Sequence, residues 1–254
     1  MTYPIQLNLK AGKNKPFTSK KDTCPFCSPD KLTHILEKEP DLIWLMNKYP
    51  ILTGTWPTVI IESLQHDLDL TDYSAEKLHS VITFGMNHWL DLSHSGRFKS
   101  VIYFRNHGPH SGGSLAHPHS QIMGLLYNLD YRDNLTPSNF RGPVFFEQAD
   151  CQCSISSLPI GNITEFNVML KKDGHLSAFA DCLQKLAQYL KNDFLMPVDS
   201  YNIFFYEMDH IYAKVFPRFT SSPLCLGYKI TPVLEDSYIN SILKTLRSPL
   251  YFGD

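Results

Sequence analysis

In the first half of the chain, short apolar runs alternate with one long amphipathic segment. Runs rich in β-branched and aromatic residues and bounded by Gly or Pro predict strands, and they cover residues 41–50, 58–63, 100–106 and 116–126. Residues 71–92 instead repeat apolar side chains every three or four positions, which predicts a helix. Thr71 or Ser74 is the expected N-cap, because either hydroxyl can accept a hydrogen bond from a free N–H of the first turn.

The second half of the chain repeats this order of strands and helix. The same criteria predict strands at residues 163–171, 201–208, 212–219 and 224–230. Helical spacing predicts helices at residues 176–194 and 235–247. Two related halves of strands and packed helices indicate an α+β fold with antiparallel sheets. We place these halves at about residues 1–130 and 144–254, with the polar stretch 130–143 as a linker.

Composition narrows the classes of protein to consider. The 254 residues are 43% hydrophobic and 19% charged, which is typical of a globular chain with a sizeable core. The formal net charge of −2 gives no basic footprint for DNA or RNA. No apolar run approaches the ~20 residues that span a bilayer, and residues 1–15 lack the apolar core of a signal peptide. We expect a cytoplasmic protein that binds neither nucleic acid nor membrane.

Two of the six cysteines have the spacing of a metal site. Cys24 and Cys27 form a Cys-x-x-Cys pair, which in a cytosolic chain indicates metal or redox chemistry more than a disulfide. Two ordinary thiols in a turn are the alternative. Cys151 and Cys153 have a spacing that is unusual for zinc. Cys182 and Cys225 lie in apolar patterns that predict core positions.

The segment HSGGSLAHPHSQIMG, residues 110–124, carries most of the candidate chemistry. If residues 117–121 are extended, His117, His119 and Gln121 share one face of the strand, with neighbours ~6.5–7 Å apart. That separation is too long for His117 and His119 to bind one ion comfortably as adjacent ligands. We therefore expect two functions side by side, with one histidine on a metal ion and the next facing a substrate.

A closed tetrahedral metal site needs two ligands beyond the cysteine pair. His117 is the expected third ligand. His66 is the expected fourth, because it directly follows a predicted strand and precedes the long helix. Two thiolates and two imidazoles are typical of structural zinc. A lone loop histidine is more often simply solvated, so the assignment of His66 depends on the other three residues.

The glycine-rich loop that precedes these histidines has the features of a phosphate site. Gly112 and Gly113 let backbone N–H groups approach a phosphate closely, and the Ser114 hydroxyl adds a donor. A plain polar turn is the alternative for this loop. His119 is the candidate nucleophile, because a neutral imidazole can attack phosphorus and form a phosphoramidate. Gln121 can donate to a non-bridging phosphate oxygen as charge shifts in the transition state.

Together these residues resemble the active-site segment of the galactose-1-phosphate uridylyltransferases, a branch of the histidine-triad superfamily. The family pattern is roughly Phe-Glu-Asn-Lys-Gly followed by Gly-x-Ser-x-x-His-Pro-His-x-Gln. The chain matches this pattern at Phe104, Asn106, Gly108, Gly112, Ser114, His117, Pro118, His119 and Gln121. The CPFC motif, ESLQHDLDL around His66 and IWLMNKYP with Asn47 resemble further family segments, and the order holds from about residue 24 to 247.

The resemblance implies a two-step nucleotidyl transfer. His119 would attack the α-phosphorus of a nucleoside diphosphate sugar, and sugar 1-phosphate would leave. A second phosphate-bearing acceptor, a sugar phosphate or phosphate, would then take the nucleotide from His119. Ser114 and Gln121 would hold the phosphates. The resemblance further assigns nucleoside contacts to Phe26, Asn47 and Asn106, and a structural Zn²⁺ to Cys24, Cys27, His66 and His117. Family habit also suggests a homodimer.

The chain departs from the family pattern at several positions. Arg105 and Lys229 stand where the family has Glu, His107 stands where it has Lys, and Lys48 stands where it has Asp. Tyr212 and Lys214 replace the histidines that hold a second metal in some members, so we expect no second metal. Because Lys229 stands where the family contacts the hexose, nucleotidyl chemistry is a firmer expectation than galactose or uridine specificity.

Two other functions stay open at this point. A nucleotide-sugar or dinucleoside polyphosphate phosphorylase or hydrolase of the superfamily would pass the nucleotide to phosphate or water. A catalytically silent, zinc-stabilised nucleotide-binding protein would keep the fold without turnover, although the intact His-Pro-His-x-Gln motif argues against it.

Overall fold

The chain divides into two units, each built on a five-stranded antiparallel sheet. The computed structural model describes residues 5–126, 129–161, 163–171, 174–219 and 231–253. The first unit holds the described residues of 1–107 and 112–134, and the second holds those of 108–111 and 135–254. The strand predicted at 224–230, with Cys225 and Lys229, lies outside the described residues.

The first unit is a sheet covered by one long helix. Its strands are β1 (Ile35–Lys38), β2 (Ile43–Met46), β3 (Thr55–Ile61), β4 (Ser100–His107) and β5 (His119–Leu125). They lie in the order β1-β2-β3-β5-β4, and every neighbouring pair is antiparallel. β5 is therefore a central strand, and the residues at its start are held by partners on both sides.

Two helices belong to the first unit, the short α1 (Leu9–Asn14) and the long α2 (Ala75–His94). Of the two predicted caps for α2, Ser74 is correct, since its Oγ accepts from Lys77 N at 3.3 Å. α2 packs on β4 and β5 through apolar side chains at helical spacing. A Cβ added at Gly85 would lie 2.1 Å from Tyr103 Oη, so the helix approaches the sheet closely only because this residue is glycine.

The second unit repeats the plan. Its strands are β6 (Val144–Glu147), β7 (Cys151–Ile155), β8 (Phe166–Leu170), β9 (Ser200–Glu207) and β10 (Ile211–Arg218). Their order is β9-β10-β8-β7-β6, again antiparallel throughout. The helices in the described part of this unit are α3 (Leu176–Asn192), which packs on four of these strands, and α4 (Asp236–Leu246). The prediction of an α+β fold with antiparallel sheets and packed helices is confirmed.

Several boundaries and segments differ from the sequence-based expectation. Trp56 and Pro57 precede the strand predicted at 58–63 but lie in β3, where Pro57 O accepts from Asn47 N at 2.9 Å. Residues 130–143, predicted as a linker, contain two 3-10 turns and bury Asn139 and Phe140. Strands β1, β6 and β7 were not predicted. They are four or five residues long, too short for a clear period.

A buried ion pair organises the second unit. Lys214 of β10 and Glu165 are both completely buried, with Lys214 Nζ 3.0 Å from Glu165 Oε2. The ammonium also donates to Asn139 O at 2.6 Å and to Asn167 Oδ1 at 2.7 Å. Glu165 in turn accepts from the backbone N–H of Ile160. Every partner supplies an oxygen, so the charge of Lys214 is compensated where water does not reach.

Within the described ranges, no helix combines the length and apolarity needed to cross a bilayer.

Replacing Lys214 with Met should destabilise the second unit by about 3–5 kcal/mol, because Glu165 then stays buried without its cation. The double variant Lys214→Met/Glu165→Gln should recover part of this loss. Urea unfolding followed by fluorescence gives both values. Lys171→Met is the matched control, since Lys171 pairs with Glu147 at 2.8 Å on the surface and should change stability little. Equal effects of Lys214→Met and Lys171→Met would contradict the role given to the buried pair.

Candidate active site and metal centre

Four side chains from three separate segments meet in the first unit. They are Cys24, Cys27, His66 and His117, and one potential ligand atom from each lies within 4.8 Å of the others. Cys24 precedes the 3-10 turn Pro25–Cys27 and Cys27 ends it. His66 follows β3, and His117 lies two residues before the start of β5. Two sulfur and two nitrogen donors at this separation could hold one tetrahedral metal ion.

Backbone carbonyls orient both histidines of this cluster. His66 Nε2 donates to Ser19 O at 3.0 Å, and His117 Nε2 donates to Ser63 O at 2.8 Å. Each ring therefore directs Nδ1 to the centre of the cluster, where Cys27 Sγ lies 3.3 Å from His66 Nδ1 and 3.4 Å from His117 Nδ1. Fixing the outer ring nitrogen in this way is how proteins commonly set the tautomer of a metal-binding histidine.

The charge state of the cluster depends on its surroundings. Burial and the neighbouring Cys24 thiol raise the pKa of Cys27 to about 11. Burial lowers the pKa of His117, which favours the neutral imidazole that can act as a ligand. Metal binding at such a site would proceed with release of the thiol protons.

A cavity of about 320 Å³ lies beside the cluster in the first unit. Five of the residues expected to act on a substrate line it, namely Phe26, Asn47, Ser114, His119 and Gln121. The other three residues predicted to contact a substrate do not line the cavity, and they are Asn106, Gly112 and Gly113. Cys24 lines the cavity as well as the cluster, so the two sites share a wall.

His119 has the geometry of a nucleophile. Its Nδ1 lies 2.8 Å from His117 O, so Nδ1–H donates to that carbonyl and the lone pair of Nε2 is free. The edge of the Phe26 ring contacts the imidazole, with the ring centroids 5.6 Å apart. Burial lowers the pKa of His119, which favours the neutral, nucleophilic form.

A backbone hydrogen bond at Pro118 fixes the chain between His117 and His119, whose side chains reach different sites. Glu62 N donates to Pro118 O at 3.1 Å, which ties the end of β3 to the start of β5. His117 was expected to share a strand face with His119 and Gln121, but β5 begins only at His119 and His117 lies in the preceding bend. His117 consequently reaches the cluster, while His119 and Gln121 reach the cavity.

Gln121 is oriented by Asn47, the residue directly after β2. Asn47 Nδ2 donates to Gln121 Oε1 at 3.3 Å, and Asn47 Oδ1 accepts from Tyr49 N at 2.9 Å. Because its oxygen is occupied, Gln121 is left with its amide N–H groups to offer a ligand in the cavity. Asn47 was predicted as a nucleoside contact, and the structure adds this orienting contact to it.

Sequence reasoning missed the contribution of the N-terminal segment. Lys15 lines the cavity, and burial lowers the pKa of its ammonium. Thr18 pairs with the loop before the histidines, since Thr18 N donates to Ser114 O at 2.9 Å. Residues 1–23 have no clear hydrophobic period, and a contact across about 95 positions leaves no local sequence signal.

One arginine and two histidines near the glycine-rich loop contact carboxylates of the protein. Arg105 is buried and donates to Glu62 Oε2 at 3.0 Å and to Asp69 Oδ1 at 3.1 Å. His107, considered above as a departure from the family pattern, lies 3.0 Å from the same Asp69 oxygen. In the second unit, His110 contacts Asp199 at 3.0 Å, so its ring anchors the start of the loop.

Comparisons with known proteins identify the family of the chain. The chain matches the N-terminal domain model of DUF4931, a domain of unknown function, over residues 6–128, and the C-terminal domain model over residues 132–252. The chain therefore belongs to the DUF4931 family. A solved DUF4931 family protein from Bacillus cereus is 39% identical, with a TM-score of 0.74 over 84% of this chain and all of that chain.

More distant similarity confirms the resemblance to galactose-1-phosphate uridylyltransferases. The enzyme of that name from Streptomyces lividans is 28% identical over 119 residues, 46% of this chain and 34% of that protein. The matched segment thus spans about a third of that relative. An ADP-glucose phosphorylase from Arabidopsis thaliana, solved with bound ADP-glucose, has 16% identity and a TM-score of 0.70 over 92% of both chains, which shows a common fold.

The cluster geometry predicts about one metal ion per purified chain. Cys27→Ser should lower the metal content strongly and reduce the melting temperature of the first unit, because the removed thiolate contributes to both binding and folding. Elemental analysis and a thermal scan measure the two effects. Cys182→Ser is the control, since that buried thiol belongs to the second unit and should leave the metal content unchanged. Full metal content in Cys27→Ser would refute the site.

Proposed function

We propose that the protein transfers a nucleotide from a nucleoside diphosphate sugar through a covalent intermediate on His119. The observation that carries the proposal is the bond from His119 Nδ1 to His117 O at 2.8 Å, which leaves Nε2 free in a cavity that also holds Ser114 and Gln121. A neutral imidazole beside hydroxyl and amide donors suits attack on phosphorus. The uridylyltransferase name of the Streptomyces lividans relative supports the same chemistry.

The proposed reaction has two balanced steps. Nε2 of His119 forms a bond to the α-phosphorus, and the bond from that phosphorus to the bridging oxygen breaks, so sugar 1-phosphate leaves with the electron pair. A phosphate oxygen of the acceptor then attacks the same phosphorus and releases His119. Gln121 and Ser114 would donate to the non-bridging oxygens, and the half-buried Lys15 would offset negative charge. His117 O would stabilise the positive charge that the His119 ring acquires.

The metal in this proposal is a structural Zn²⁺ held by Cys24, Cys27, His66 and His117. Two thiolates and two neutral imidazoles fill a tetrahedral site and leave no open position for substrate. Bound zinc would fix the bend that carries His117 and so hold the carbonyl that orients His119. Its contribution is therefore to folding and positioning.

A phosphorylase is the second candidate, with inorganic phosphate as the acceptor. The phosphorylase name of the Arabidopsis thaliana neighbour favours it, and Lys15 supplies a cation in the cavity that suits inorganic phosphate as well as a sugar phosphate. The two candidates share the first step and differ in the acceptor. Supplying labelled intermediate with phosphate or with a hexose phosphate distinguishes them.

His119→Asn should lower kcat by at least about 10³, because the variant cannot form the phosphoramidate. Incubating the protein with UDP-glucose or ADP-glucose, each labelled in the nucleoside, should leave acid-labile label on the wild type and none on the variant. Metal content should be unchanged, which separates chemistry from folding. His94→Asn, at an exposed position near the end of α2, is the matched control. Equal labelling of His119→Asn and wild type would overturn the assignment.

A further inference from the structure

A buried guanidinium lies behind the strand that carries His119. Arg105 of β4 is directly opposite Ser120 of β5, so these two side chains share one face of the sheet, and His119, one residue earlier, faces the other. Tyr103 is two residues from Arg105 and shares its face, where its ring packs against Trp89 of α2 with the centroids 6.1 Å apart. Arg105 therefore lies between the sheet and α2, whereas His119 lines the cavity on the opposite face.

Arg105 joins the two ends of the segment 62–69. Its Nε donates to Glu62 Oε2 at 3.0 Å, and its Nη1 donates to Asp69 Oδ1 at 3.1 Å. Both carboxylates are as deeply buried as the guanidinium. A planar fork of N–H donors suits two carboxylates at once, whereas a lysine would offer a single compact charge. One side chain thus closes the segment, and the two acidic partners account for an arginine where the resembled family has Glu.

The closed segment contacts the bend that carries both histidines. Glu62 N donates to Pro118 O at 3.1 Å, and Ser63 O accepts from His117 Nε2 at 2.8 Å. His66, a candidate metal ligand, lies between the two ends of the segment. Because Glu62 is both an end of the segment and the donor to Pro118, a displacement of Glu62 would move the backbone that leads into β5.

Packing alone does not account for this arrangement. Apolar side chains of similar volume would fill the layer beneath α2 without the cost of removing charges from water. Among the described residues, Glu62 Oε1 has no hydrogen-bond partner, so Glu62 is oriented through Oε2, by Arg105 and by Tyr73 Oη at 3.1 Å. A buried carboxylate with an unpartnered oxygen is costly to keep. Its place at the residue that holds Pro118 points to a role in positioning.

We infer that Arg105 is a positioning residue for His119. Its guanidinium fixes the segment 62–69, and Glu62 at the end of that segment fixes Pro118 and the start of β5. Arg105 does not line the cavity, so it acts through Glu62 and Pro118 and not on the substrate. The inference rests on the proposed function, because His119 is the group that Arg105 positions.

Replacing Arg105 with Lys in the metal-loaded protein tests this inference. The variant keeps a cation but loses the fork that bridges both carboxylates. We expect kcat to fall about tenfold to a hundredfold, since a nucleophile displaced by a fraction of an ångström reacts more slowly. KM should stay within about twofold, because the cavity side chains are unchanged. The rate at which nucleoside-labelled UDP-glucose or ADP-glucose labels His119 in a single turnover should fall by the same factor as kcat.

His107→Gln is the matched control. His107 Nδ1 lies 3.0 Å from the same oxygen of Asp69, so this variant removes a neighbouring contact and leaves the Arg105 bridge intact. Its labelling rate should stay within about twofold of the wild type. A wild-type labelling rate in folded Arg105→Lys, a change in KM without a change in kcat, or an equal loss in His107→Gln would each overturn the inference. If Arg105→Lys does not fold, the isosteric Glu62→Gln replaces it, with a fall of at least about threefold in labelling rate expected.

Hydrogen exchange followed by mass spectrometry gives a readout that does not depend on turnover. In Arg105→Lys, the amides of residues 62–69 and 117–121 should exchange faster, while those of β7 and β8 keep their protection. Unchanged exchange at 117–121 would contradict the positioning role. If the wild type takes no label from either nucleotide sugar, the proposed function fails, and the exchange result still decides whether Arg105 holds the bend.

Discussion

The hydrogen bond from Glu62 N to Pro118 O fixes the point on which the candidate site depends. It holds the backbone at Pro118, between two histidines whose side chains reach different sites. On one side, His117 enters the sulfur and nitrogen cluster, and on the other, His119 begins β5 and faces the cavity. The carbonyl of His117 then orients His119, so the candidate metal ligand and the proposed nucleophile are joined by one hydrogen bond. A shift of this peptide would disturb both sites at once.

Each unit contains a buried cation that is paired with a buried carboxylate. Arg105 lies against Glu62 and Asp69 in the first unit, and Lys214 lies against Glu165 in the second. Such pairs stabilise a fold only modestly, but each is costly to break because one partner is then left buried and uncompensated. They therefore favour a single arrangement of the strands. The positions of Arg105 and Lys214, which depart from the family pattern, serve packing within their own units.

Much of this organisation could be predicted from the sequence because the signals are local. Each of these signals occupies a short stretch of the chain: the Cys-x-x-Cys pair, the helical period of α2 and the His-Pro-His-x-Gln motif. The resemblance to the uridylyltransferases related the two motifs to one site. Contacts between distant segments could not be predicted in this way. The pairing of Thr18 with Ser114 and the entry of Lys15 into the cavity depend on the folded sheet. Asn106 matches the family motif, yet it lies on β4 outside the cavity lining, since a motif fixes spacing but not the course of the backbone.

The segment from Lys15 to Cys24 contacts the cluster, the glycine-rich loop and the cavity. Ser19 O holds His66 of the cluster, Thr18 holds the loop at Ser114, and Lys15 and Cys24 line the cavity. Because these contacts follow one another along ten residues, occupancy of the cluster and the shape of the cavity share a single stretch of backbone. Occupancy of the cluster by a metal ion would consequently change the shape of the cavity as well as the stability of the first unit.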